Sequence, residues 1–133
     1  MNVPLIAAGF LGIIAAAVHG AGGEVLVLRK LSPGALPPSR FGGPRVTKTM
    51  IHVTWHITTI AFLTVGSALL LSGLVLHGDT AQGVGLVAAG ASTGFAAVAV
   101  VLGGVTQSPR SLLLHPGPAV LTATAALAWW GAL

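Results

Sequence analysis

No cysteine occurs among the 133 residues. That absence excludes disulfides, thiolate metal sites, thiol catalysis and a lipoprotein anchor. Tyrosine is missing too, and charge nearly so: Lys and Arg number 6 and Asp and Glu 2, together 6% of the chain. A soluble domain carries about 25% charged residues, so this composition offers too little polar surface to cover a soluble core. There is also no nucleophile motif, no phosphate-binding glycine loop and no pair of catalytic carboxylates, which leaves hydrolytic chemistry without a footing.

What remains is apolar. Hydrophobic residues make 54% of the chain and the mean hydropathy is +0.94. Four stretches stand out, about 3–28, 49–76, 81–105 and 111–133, each long enough for the ~20 residues a bilayer-spanning helix needs. A closed β-barrel would alternate apolar and polar residues, and nothing here alternates. Backbone groups in hydrocarbon must pair internally, so the expected fold is all-α: a single membrane domain, 1–133, built as an antiparallel bundle of four transmembrane helices. The start, Met1-Asn2-Val3-Pro4, has no positive charge and leads into an apolar run too long for a signal-peptide core. The first stretch is therefore expected to be a helix of the mature protein.

The basic residues Arg29, Lys30, Arg40, Arg45, Lys48 and Arg110 fall in the first and third connections or at their edges, and the connection His77-Gly78-Asp79-Thr80 has none. By the positive-inside rule the basic connections are cytoplasmic and both termini face out, as in a protein of a bacterial inner membrane. The net charge of +4 then reflects topology and implies no nucleic-acid partner. Trp129 and Trp130 are expected at the outer interface. The connection 29–48 holds Pro33, Pro37, Pro38, Pro44 and Gly42-Gly43, too many breakers for another helix; it reads as a linker, with a partly ordered lid as the alternative. Ala8, Gly12, Ala16 and Gly20 recur every four positions, as do Gly90 and Gly94, and small residues let helix backbones approach closely in lipid.

The informative residues ionise inside these stretches. His19, Glu24, His52, His56 and His115 all do so, and such groups are expensive in a membrane and mark function by default. Counted at 1.5 Å per residue from the cytoplasmic helix ends, Glu24 lies about 6 Å deep, His19 about 13 Å, His52 about 4 Å, His56 about 10 Å and His115 about 6 Å. His52 and His56 share a helix face, which Trp55 and Thr59 extend. His19 and Glu24 are five apart, about 140° round an ideal helix, so they meet one centre only if the helix departs from α geometry at Gly20-Ala21-Gly22-Gly23. His115 either opens the last helix, with Pro116 in its first turn, or precedes a Pro116 kink in a helix begun at Ser108-Pro109.

Imidazoles with one carboxylate suit zinc, iron or copper, and facing helices are where bundles build such sites. A transition-metal ion held by His19, Glu24, His52, His56 and His115 is the first expectation. The second is a b-type haem between His56 and His19, or His52 and His115, with Arg29, Arg40 and Arg45 meeting its propionates and Trp55 packing beside it. A third is a quinone pocket or proton relay. Against these stands a structural role, in which the histidines only bond helix to helix and Trp55 packs or anchors.

His19, Gly23-Glu24, Trp55-His56 with Thr58-Thr59, and a histidine opening the last helix together resemble a group of small bacterial four-helix integral membrane proteins with no assigned activity. The resemblance spans the whole chain. In that pattern a basic residue takes the place of His52, so the resemblance implies a unit of His19, Glu24, His56 and His115. Two classes of function follow: a metal or haem protein serving membrane redox chemistry or metal handling, and an accessory subunit or homo-oligomer within a larger membrane assembly.

Overall fold

The computed structural model describes residues 1–106 and 115–133. It is all-helical. Among the described residues the only β feature is an isolated bridge between Ser39 and Gly42. Helix α1, Val3–Ala17, starts at Asn2, whose side chain accepts from the Leu5 N–H, with Pro4 in the first turn; both are favourable at a helix start. A π-helical turn, Val18–Gly22, leads into the short α2, Gly23–Leu26, and a 3₁₀ turn closes the segment at Leu28–Lys30. The three longest elements that follow are α3, Pro44–Leu74, α4, Gly78–Thr106, and α5, Pro116–Ala132.

Three helical stretches are long and apolar enough to cross a membrane: Val3–Lys30, Pro44–Leu74 and Gly78–Val105. Helix α5 has 17 residues, about 26 Å of helix, at the short end of what a bilayer requires. Two helix starts differ from the sequence expectation. Helix α3 begins at Pro44 and not near Thr49, because Pro44 takes the first helical position after an extended Gly43, where a missing N–H costs nothing. The loop before it is correspondingly shorter and ordered locally, with the Thr47 hydroxyl donating to the Pro37 carbonyl at 2.8 Å. Helix α5 is entered through an extended His115, the conformation proline imposes on its predecessor. His115 thus opens the helix, and no helix runs through it to be kinked at Pro116. Arg110 and the Ser108-Pro109 pair lie outside the described residues.

The helices close a ring, α1 on α3, α3 on α4, α4 on α5 and α5 on α1. Neighbours run antiparallel. Asn2 N–H donates to the Gly73 carbonyl at 2.9 Å and the Asn2 amide to the Gly131 carbonyl at 2.7 Å, tying the start of α1 to the ends of α3 and α5. The core cluster of Leu5, Ala8, Leu69, Ala88, Ala89, Ala128 and Ala132 lies toward this terminal end. Where α1 crosses α3, a Cβ on Gly12 would lie 2.9 Å from the Gly66 Cα, so only paired glycines permit that approach. The ridge of Ala8, Gly12, Ala16 and Gly20 is buried as its spacing predicts. Gly90 and Gly94 are not: both are exposed and a Cβ on either would meet nothing within 4 Å. Helix α4 instead packs through Ala88, Ala89, Ser92 and Ala96. A four-residue repeat fixes a face but does not say which face turns inward.

Candidate metal centre

The site lies at the end opposite the termini, where the first helical segment meets the beginning of α3. Its foundation is the π turn. Hydrogen bonds that run i to i+5 carry residues five apart toward one side of the helix, and His19 and Glu24 are five apart. Both consequently face α3, which an unbroken α-helix would not allow. Glycine makes the contact possible, because a Cβ on Gly23 would collide with the Trp55 indole and one on Gly20 would lie 2.7 Å from the Thr59 methyl.

Trp55 locks the turn. Its Nε1–H donates to the His19 carbonyl at 2.8 Å, and its ring stacks on the His19 imidazole with centroids 4.5 Å apart and planes inclined by 17°. Phe62 covers the imidazole edge-on at 5.3 Å. The Thr59 hydroxyl donates its single proton to the Trp55 carbonyl at 3.1 Å and stands 2.9 Å from His19 Nδ1. Thr59 thereby joins the His19 ring to the α3 backbone.

One turn nearer the basic loop, Glu24 meets both histidines of α3. His52 Nε2 stands 2.7 Å from Glu24 Oε2 and His56 Nε2 3.4 Å from the same oxygen. The two imidazole centroids are 5.0 Å apart. Arg29 Nε donates to the other oxygen, Oε1, at 3.3 Å. Its position follows from the 3₁₀ turn, whose Leu28 is buried to 1% exposure and so pins the chain beside α2. Glu24 divides its carboxylate, one oxygen toward the imidazoles and one toward the guanidinium.

One ligand atom each from Glu24, His52 and His56 lies within 4.8 Å of the others. Ligands at 2.0–2.1 Å from a tetrahedral zinc stand about 3.3 Å from one another. The His56–Glu24 separation already matches, and the His52–Glu24 hydrogen bond would open by roughly 0.6 Å. The donor set of two imidazoles and a carboxylate suits zinc or iron(II) with open coordination positions. The outer-shell hydrogen bond that ligating carboxylates require is present in Arg29. The side chains of His52 and His56 are 42% and 46% exposed, so exogenous ligands have access.

Not every sequence-derived candidate joins this group. His19 belongs to the Trp55–Thr59 lock one turn deeper. His115 caps α5, its Nδ1 accepting from the Gly117 N–H at 3.2 Å, and is exposed. Neither enters the three-residue cluster. Arg40 and Arg45 are exposed members of the loop and of the first turn of α3. His52, the candidate that the resemblance disfavours, makes the shortest contact with Glu24. In the pairs expected to hold a haem, His56 with His19 and His52 with His115, the His19 ring is stacked on Trp55 and His115 caps α5. Thr59, which the sequence marks only as part of a stripe, stands 2.9 Å from His19 Nδ1; a hydroxyl seven residues from His52 on an apolar helix is the signal for it. The chain matches no protein-family model, and no curated protein or solved structure is significantly similar to it, so its chemistry alone speaks for its function.

Proposed function

We propose that the chain is an integral membrane protein of four crossings, with both termini outside and the basic loop cytoplasmic. It binds a transition-metal ion through Glu24, His52 and His56, in the service of metal handling or membrane redox chemistry. The observation that supports this reading best is the convergence of Glu24 Oε2 with both α3 imidazoles. The ring of antiparallel helices supports the four crossings, although α5 is short, and the confinement of the described basic residues to 29–48 supports the orientation.

Elemental analysis and an absorption spectrum of the purified, detergent-solubilised protein test the metal reading. About one equivalent of metal is expected, with affinity lowered at least ~10-fold in His52→Ala and in His56→Ala. A colourless, metal-free protein that co-purifies with larger membrane partners would overturn it. That result would favour the second reading, an accessory subunit or homo-oligomer. The outer face of α4 supports this second reading, since Gly83, Gly90 and Gly94 leave open space beside the helix into which another helix can pack.

A further inference from the structure

We propose that the metal centre takes a small oxyanion as co-ligand, one oxygen on the metal and another on the Arg29 guanidinium. This rests on the metal reading and extends it to the chemistry of the open positions. Three protein donors leave at least one coordination position of a tetrahedral ion unfilled. The His52 and His56 side chains are 42% and 46% exposed on the bundle surface, so the chain does not close over that position.

Charge selects what enters. Glu24 is the single acidic residue of the site, and a divalent ion together with Arg29 outweighs it. Lys30, Arg40, Arg45 and Lys48 lie in the same stretch of chain, while the only other acidic residue, Asp79, begins α4 at the terminal end of the bundle. The site therefore carries excess positive charge once metal is bound, and an anion relieves it. Arg29 is placed to receive that anion. It reaches Glu24 Oε1 through Nε, its two terminal amino groups make no hydrogen bond or ion pair among the described residues, and its side chain is 69% exposed. A guanidinium fork held at one nitrogen presents its remaining donors in the planar array that suits carboxylate and phosphate oxygens. At about 6 Å from the helix end, such an oxyanion can be a free phosphate or the phosphate of a lipid headgroup.

Cobalt(II) serves as the probe, because its visible absorption reports changes in its ligands. Protein in neutral maltoside detergent is loaded with one equivalent of cobalt and titrated with inorganic phosphate. With each protein first brought to cobalt saturation, the expected result is a saturable spectral change that needs at least 10-fold more phosphate in Arg29→Ala and recovers in part in Arg29→Lys. In bilayers, a headgroup source predicts that phosphatidic acid produces the change without added phosphate. A free source predicts that it appears only on adding phosphate, in phosphatidic acid and in phosphatidylcholine bilayers alike. Cobalt that binds but ignores phosphate and lipid, or responds equally in Arg29→Ala, overturns the co-ligand and leaves the metal reading standing. Failure to bind cobalt overturns both.

Discussion

At the residue scale the site depends on which atom of each side chain is already committed. Glu24 Oε1 accepts from Arg29, while both α3 imidazoles approach Oε2 by Nε2. Imidazoles ligate only when the bound nitrogen is free of its proton, so metal binding displaces protons and acidification releases the metal. Metal content measured by dialysis at falling pH should therefore decline, and Glu24→Gln should lower occupancy at every pH. Unchanged occupancy in Glu24→Gln would remove Glu24 from the site. His19 differs in kind, since its Nδ1 meets the Thr59 hydroxyl and its ring is stacked on Trp55. His19→Ala is expected to retain the metal while shifting Trp55 fluorescence and lowering thermal stability in detergent. Metal lost in His19→Ala from a protein that still melts like the wild type would make His19 a ligand. The pairing of His52 with His56 was legible from their i, i+4 spacing. The division of labour between His19 and the other two was not, because the partners of His19, Trp55 and Thr59, lie 36 and 40 residues away in the chain.

Among the elements, the π turn carries the most consequence. Sequence spacing separates His19 from Glu24 by about 140°, and the glycines of Gly20-Ala21-Gly22-Gly23 marked only where the helix could yield. How it yields depends on a partner: the Trp55 indole lies on Gly23 and bonds the His19 carbonyl, and that contact belongs to no local pattern. Deleting Ala21 should restore plain α geometry and leave His19 and Glu24 four apart, about 40° round the helix and still on one face. Circular dichroism should then show helix content preserved and metal titration should show the site retained. A deletion variant that keeps its helix but loses the metal would show that the π turn does more than bring residues five apart onto one face. The same limit applies to α4, where Gly90 and Gly94 have the spacing of a packing ridge but are exposed, and Ala88, Ala89, Ser92 and Ala96 pack instead. Hydropathy located the helices because burial in lipid acts on every residue of a segment. The choice of inward face rests on contacts between segments distant in sequence.

For the whole molecule, the ring of helices has two unlike ends. One gathers the chain termini, the small-residue core and the Asn2 cross-links to Gly73 and Gly131. The other gathers the basic loop, the Trp55 lock and the His/Glu cluster. The absence of cysteine allows the orientation to be tested directly, since a single introduced thiol is unique. In intact cells a membrane-impermeant maleimide should label Thr80→Cys and should reach Ser39→Cys only after permeabilisation. The reverse pattern would invert the topology and place the metal centre on the outer side.

The claim on which the rest depends is that Glu24, His52 and His56 hold a metal, and X-ray absorption at the zinc edge of the zinc-loaded protein tests it most directly. The expected spectrum has two imidazole shells and oxygen at 2.0–2.2 Å, and His56→Ala should remove one imidazole shell. A spectrum of hydrated zinc without imidazole scattering, or one unaltered by His56→Ala, would contradict the account.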